Sequence, residues 1–146
     1  MKRMWTTVWV WVLLLALLVG CGGTTTLSKD EAANFAAEVD ALSENLLTSL
    51  NAGDYEAYIR DMDPAMRKVS TREDFENLCA MLAEKIGAYQ SREMSQVAEK
   101  DGLRAVIYEA QFERESGVTV RVVYSLADET PQISGLWFDS PKLRQK

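Results

Sequence analysis

The chain has 146 residues, which suits one domain with a single hydrophobic core. Its 22 acidic residues outnumber the 16 basic ones, and the formal net charge is -6 at pH 7. Such an acidic protein repels phosphate backbones, so we reject nucleic-acid binding. The chain contains no histidine, which excludes a Ser-His-Asp or Cys-His catalytic arrangement.

The first twenty residues have the parts of a secretory signal. Lys2 and Arg3 form a basic start, and residues 4–20 then run without a charge through WVWVLLLALLV. This run lies at the short end of the lengths that cross a bilayer as a helix, so an uncleaved membrane anchor is the alternative. Removal of residues 1–20 lowers the basic count from 16 to 14 against 22 acids, which changes the net charge to -8.

The apolar run ends at Leu18-Val19-Gly20-Cys21, which resembles the lipobox of bacterial lipoproteins. The resemblance implies that the chain is cut before Cys21 and that the thiol of this residue carries a diacylglyceryl group. Each acyl methylene buried in a bilayer contributes about 0.8 kcal/mol to such an anchor. We therefore expect residues 1–20 to be the signal peptide, and residues 21–27 to be the lipidated cysteine and its tether. The protein would face the periplasm or the exterior from the cell membrane or the outer membrane.

Three helices are predicted in the first half of the remaining chain. Ser28 and Glu31 form a capping box, and Gly53 ends the first helix. A short second helix covers YEAYIRDM and breaks near residue 63, before a proline. A third helix is predicted from the capping box of Ser70 and Glu73 to Gly87. Apolar residues spaced three or four apart define the inner faces of the long helices: Phe35, Val39, Leu42, Leu46, Leu50, Phe75, Leu78, Cys79, Leu82 and Ile86.

The second half of the chain alternates apolar and polar residues, as strands with one buried face do. Four antiparallel strands are predicted at residues 88–97, 104–112, 118–126 and 132–138, with residues 140–146 as a loose tail. Helices followed by strands predict an α+β fold, with three helices packed on a four-stranded sheet.

A longer pattern resembles a known family. The stretch LLTSLNAGDYEAYIRDMDPAMRKVSTREDFENLCAMLAEKIGAYQS and the closing ISGLWF resemble the bacterial and archaeal domain of unknown function family 3887, over roughly residues 30–138. That family belongs to the nuclear transport factor 2-like superfamily. The resemblance implies a cystatin-like, cone-shaped α+β domain at residues 28–139 and no assigned activity.

The same resemblance implies a small-molecule pocket between the helices and the concave face of the sheet. Aromatic residues with a polar tip would line it, or would instead fill the core: Tyr55, Tyr58, Tyr89, Tyr124 and Trp137.

Acidic residues near the second helix are the candidates for acid–base chemistry: Asp54, Glu56, Asp61 and Asp63. Asp54 is equally a helix cap and Asp63 a turn residue, so we expect no catalytic residue. A calcium loop beginning at Asp61 would place Met66 and Arg72 where glycine and glutamate are needed, and we expect neither a metal nor a cofactor. Cys79 is predicted to act as a small hydrophobic residue.

These observations predict a membrane-anchored, non-catalytic binding or interaction module that uses its cone or its exposed sheet face. The alternative is a small acid–base enzyme of the isomerase or dehydratase type, or a small-ligand binder. The expected partners are membrane lipid, reached through Cys21, and an unidentified protein or small molecule. The superfamily resemblance adds a homodimer formed through the sheet.

Overall fold

The computed structural model describes residues 23–146. The predicted signal peptide and Cys21 therefore lie outside the described residues. Five helices are present in this part of the chain, where the sequence predicts three: α1 (Lys29–Glu38), α2 (Asp40–Ala52), α3 (Tyr55–Ile59), α4 (Pro64–Val69) and α5 (Arg72–Lys85).

The predicted first helix is divided into α1 and α2 at Val39. The hydrogen bonds continue across this break, because the Val39 amide donates to the Phe35 carbonyl at 3.1 Å and the Ser43 amide to the Val39 carbonyl at 3.0 Å. The predicted inner face therefore remains continuous although the helix is interrupted. The capping box of Ser28 and Glu31 is confirmed.

Helix α4 is absent from the sequence prediction. The break predicted near residue 63 is confirmed, but Pro64 occupies the first turn of a new helix, where its missing N–H costs nothing. Asp63 caps this helix by accepting a hydrogen bond from the Met66 amide at 2.7 Å. The predicted start of the next helix is also wrong by one residue, since Thr71 caps α5 and accepts from the Asp74 amide at 3.1 Å.

The sheet has five antiparallel strands, in the spatial order β1-β2-β3-β4-β5, where four were predicted. The additional strand is β1, which pairs with the end of β2 through Thr25 and Thr26. Part of the predicted tether is thus a strand, too short to show an alternating pattern. The strands are β1 (Thr25–Thr26), β2 (Tyr89–Lys100), β3 (Leu103–Phe112), β4 (Glu115–Ser125) and β5 (Gln132–Asp139).

The hydrophobic core fills the space between the helices and one face of the sheet, which confirms the α+β class. Its largest fully buried members come from α1–α2, from the α3–α4 connection, from the end of α5 and from β2–β5: Val39, Leu46, Leu47, Met62, Ile86, Val97, Val106, Val118, Val120, Val122, Tyr124 and Ile133. The predicted loose tail is partly packed, since Ser140 is buried and the Lys85 ammonium donates to the Leu143 carbonyl at 3.3 Å.

None of the helices in residues 23–146 is long and apolar enough to cross a membrane.

Candidate functional site

The face of the sheet that points away from the helices carries an exposed apolar surface. Register places Ala98 beside Ala105, Ala105 beside Val123, and Val123 beside Gly135, in one row across four strands. A second row places Ile107 beside Arg121. We call the apolar side chains of this region the outer patch: the exposed Leu103 and Trp137, the partly exposed Ala105, Ile107 and Val123, and the buried Ala98.

Trp137 is the largest member of the outer patch, and 46% of its surface is exposed. It pairs with Arg121 across β4 and β5, and the guanidinium carbon of Arg121 lies 5.0 Å from the centre of the Trp137 ring. This distance is within the range of a cation–π contact. The pair therefore presents an aromatic ring and a positive charge together on the surface.

An open groove of about 560 Å³ is lined by all members of the outer patch except Trp137. Its floor includes Ala105, Ile107 and Val123, and its rim includes Thr24 from the chain before β1 and Lys100 from the end of β2. Apolar concavities with a few polar groups on the rim are typical of binding sites.

The next row of the same face is acidic. Glu93 and Glu109 face each other across β2 and β3, and Asp139 pairs with Thr119. We call Glu93, Glu109 and Asp139 the acidic row. Like charges opposite each other are unfavourable in a sheet, so we expect the carboxylates of Glu93 and Glu109 to remain hydrated. A hydrogen bond from Arg144 holds the pKa of Asp139 below its usual value. The outer face is therefore apolar near the β2–β3 turn and acidic at its other half.

The inner face of the sheet holds a buried cluster of three hydroxyl groups. The Ser43 hydroxyl lies 2.7 Å from that of Tyr108 and 2.5 Å from that of Tyr124. All three side chains are buried, and each hydroxyl has a partner, as buried polar groups require. This hydroxyl cluster connects α2 to β3 and β4.

Arg92 lies beside the hydroxyl cluster, with only 6% of its side chain exposed. It donates to the Asp40 carboxylate at 2.6 Å, to the Tyr89 hydroxyl at 2.8 Å and to the Glu44 carboxylate. Its guanidinium carbon is 5.1 Å from the ring centre of Tyr108. Arg92 thereby fixes β2 against the first two turns of α2.

The hydroxyls of Tyr89 and Tyr124 are protonated at neutral pH. Burial raises the pKa of Tyr124 and of Tyr89 above the ordinary tyrosine value. The Tyr89 hydroxyl donates to Glu44 at 3.0 Å. A general base must be able to accept a proton near the working pH, so neither tyrosine is suited to that role.

A smaller pocket of about 170 Å³ opens between α2, α5 and the ends of β2 and β3. Leu82, Tyr89 and Phe112 line its apolar part, and the Glu113 carboxylate at its edge accepts from the Ala88 amide at 3.0 Å. Cys79 also lines it as a free thiol, and burial raises the pKa of this thiol. A thiol with a raised pKa is a poor nucleophile.

The five predicted aromatic residues lie in three places. Tyr55 and Tyr58 pack against Phe75, with ring centres 5.7 and 4.8 Å apart. Tyr89 and Tyr124 belong to the region of Arg92 and the hydroxyl cluster. Trp137 lies on the opposite face of the sheet. The structure therefore brings Tyr89 and Tyr124 near each other and separates Trp137 from them.

The four candidate acids have local roles. Asp54 caps α3 by accepting from the Ala57 amide at 3.0 Å, which confirms the cap prediction. Glu56 pairs with the Arg72 guanidinium at 2.9 Å on the surface. Asp61 accepts from the Asn45 amide at 2.9 Å. Asp63 caps α4, and hydrogen bonds from the Met66 amide and the Ser134 hydroxyl lower its pKa.

Sequence analysis missed Ser43, Glu44 and Arg92. Two register shifts in β2 interrupt its alternation, so the residues that face inward are spaced irregularly along the strand. The only signal in the sequence was an arginine, Arg92, among the strand positions that face inward. Within residues 23–146, no group of three Cys, Asp or Glu side chains is arranged to hold a metal ion.

Residues 43–136 match the family described as Protein of unknown function (DUF3887). The matched range runs from α2 into β5, so it contains the hydroxyl cluster and all of the outer patch except Trp137. The chain matches no curated protein and no solved structure.

Proposed function

The chain belongs to the family of proteins of unknown function DUF3887, and from this starting point we propose that it is a membrane-anchored, non-catalytic binding module. Its anchor is an acylated Cys21, and its binding surface is the outer patch. The observation that carries the proposal is the contrast between the two faces of the sheet. The inner face is covered by the helices, whereas the outer face exposes an apolar groove.

The proposed anchor is supported by the sequence before the described residues. The basic start, the apolar run and Leu18-Val19-Gly20-Cys21 follow the lipobox order. Acylation of Cys21 after cleavage would leave the domain on the outer side of the membrane. The location, in the cell membrane or the outer membrane, belongs to the same proposal.

A nuclear transport factor 2-like cone is also part of the proposal. Helices cover one face of the five-stranded sheet, and register shifts in β2, β3 and β4–β5 are of the kind that bends strands. The interior of this cone is packed by fully buried side chains such as Leu46, Val106 and Tyr124. This packing favours the outer face over the interior as the binding surface.

An acid–base enzyme working inside the cone is the alternative, and the chemistry there disfavours it. The Asp40 and Glu44 carboxylates are both paired with Arg92, and the neighbouring tyrosines keep their protons. The 170 Å³ pocket beside Tyr89 is the place for a small ligand. A homodimer formed through the sheet would cover the same outer patch, so the cross-linking experiment at the outer patch also tests the homodimer.

The experiment places a photoreactive benzophenone side chain at position 107, in the outer patch, of the full-length protein in cells. Position 69 serves as the matched control, because Val69 is 67% exposed on α4, away from the outer patch. After irradiation we expect covalent adducts with neighbouring molecules from position 107 and few from position 69, because only position 107 lies on the binding surface. Equal labelling at the two positions contradicts the proposal.

The same preparation tests the anchor by intact mass. We expect cleavage before Cys21 and a diacylglyceryl mass, both of which Cys21→Ser abolishes, with loss of the protein from membranes. Cys79→Ser is the control and leaves the protein membrane-bound. An intact leader without an acyl mass would show that the proposed anchor is wrong.

A further inference from the structure

The amino-terminal end of the described chain lies at the outer patch. Thr24 forms part of the groove rim, and β1 fixes the following residues against Ala98 and Glu99 at the end of β2. Thr24 follows Cys21 by three positions in the chain, and an extended chain of three residue steps spans about 10 Å. An anchor at Cys21 therefore brings the outer patch close to the bilayer surface.

The composition of the outer patch suits the boundary between lipid and water. Trp137 combines an apolar ring with a polar N–H, a residue type that is enriched at membrane interfaces. Arg121 lies over this ring and can extend its charge toward water while its stem remains on apolar surface. Leu103, at the start of β3, is 39% exposed and adds an aliphatic side chain next to the turn.

The charges of the outer face define which edge would touch the membrane. Lys100 and Arg121 lie at the apolar half, together with Glu99 and Asp101 on the groove rim. The acidic row of Glu93, Glu109 and Asp139 lies at the other half. A mixed rim fits zwitterionic headgroups, and the acidic row would be oriented away from the lipid.

We infer that the occupant of the outer patch is the bilayer surface itself, with Trp137 among the lipid headgroups and the acidic row facing water. This inference rests on the proposed function, because it requires the anchor at Cys21. It assigns the outer patch to lipid rather than to a second copy of the chain or to another protein.

The experiment uses Trp137 as the probe. The sequence contains four tryptophans, at positions 5, 9, 11 and 137, and cleavage before Cys21 leaves Trp137 as the single one. The acylated protein, cleaved before Cys21, is reconstituted into phosphatidylcholine vesicles with or without bromine on the upper part of the acyl chains. We expect a blue shift of the emission relative to detergent solution, and quenching by the brominated lipid.

Two substitutions in this protein separate contact from misfolding. Leu103→Glu places a charge in the exposed part of the patch, and we expect loss of quenching. Val69→Glu adds the same charge on α4, where an exposed valine is replaced, and we expect the quenching to remain. Circular dichroism of both variants should match that of the parent.

Flotation of the vesicles distinguishes the ways in which the inference can fail. Protein that floats with unquenched Trp137 is anchored without touching lipid through this face, which overturns the inference and leaves the anchor intact. A blue shift without quenching means that protein covers the patch, and a doubled mass in sedimentation would identify a second copy. Protein that does not float overturns the anchor and the inference together.

Discussion

Arg92 is a charged side chain that is almost entirely inside the fold, whereas its two acidic partners remain partly in water. The side chains of Asp40 and Glu44 are 70% and 49% exposed. Removal of the arginine therefore leaves these carboxylates solvated, and the loss comes from hydrogen bonds and from packing on Tyr108. Arg92 is in this sense a link between α2 and β2.

We expect Arg92→Ala to lower the free energy of unfolding by about 2–4 kcal/mol, because it breaks several charge-assisted hydrogen bonds in a buried place. Arg60→Ala is the matched control: the Arg60 side chain is 61% exposed in its ion pair with Asp61, and ion pairs of exposed side chains contribute less than about 1 kcal/mol. Urea denaturation of both variants provides the measurement. Equal losses in the two variants would contradict a structural role for Arg92.

At the scale of single elements, α5 shows how a one-residue shift changes which side chain stabilises a helix. Thr71→Ala removes the hydroxyl that accepts from the Asp74 amide, and we expect a loss of about 1 kcal/mol. Ser70→Ala keeps the backbone carbonyl that accepts from the Tyr55 hydroxyl, so we expect a smaller change. A larger effect at Ser70 than at Thr71, measured by thermal unfolding, would place the cap where the sequence first predicted it.

Elements with a regular period were predictable, and those with an interrupted one were not. The apolar spacing from Phe35 to Leu50 follows the helix period through the break at Val39, and β3 and β4 alternate over most of their length. Strand β2 contains two irregularities, so the inward position of Arg92 could not be derived from alternation. Strand β1 and helix α4 were missed because they are too short to show a period.

At the scale of the whole molecule, buried tyrosines link stability to alkaline pH. Burial raises the pKa of Tyr58 from 10.0 to about 12, and it also raises that of Tyr124. The unfolded chain thus releases these protons at a lower pH than the folded protein does. The stabilisation by the neutral hydroxyls is complete below pH 10 and is lost as the pH rises toward the folded values.

We therefore expect the Tm to fall between pH 10 and about 12, with tyrosinate absorbance appearing as the protein unfolds. Tyr58→Phe removes one of the hydroxyl groups whose ionisation is coupled to unfolding, so the Tm of that variant should fall less steeply over the same pH range. Scanning calorimetry at several pH values measures both slopes. Identical slopes would mean that Tyr58 does not contribute to the pH dependence.

The α+β class could be predicted from the order of helices before strands. Which residues lie on each face of the sheet depends on the register of strand pairing. In the sequence, Trp137 shares with Tyr89 and Tyr124 an aromatic side chain with a polar tip, but the pairing of β5 with β4 places it beside Arg121 on the other face of the sheet. A shift of one residue in a strand exchanges its two faces. The composition of the outer patch thus required knowledge of which residues are neighbours across strands.

The two-residue strand β1 also determines how the domain would respond to a mechanical pull on its amino terminus. We expect the pairing of Thr25 with Glu99 to break first, followed by that of Thr26 with Ala98 and the hydrogen bond of the Leu27 amide. The capped start of α1 should resist further extension. Release of residues 24–27 from the sheet would lengthen the tether between Cys21 and the domain by about 14 Å. A modest tension could thereby alter the height of the domain without unfolding its core.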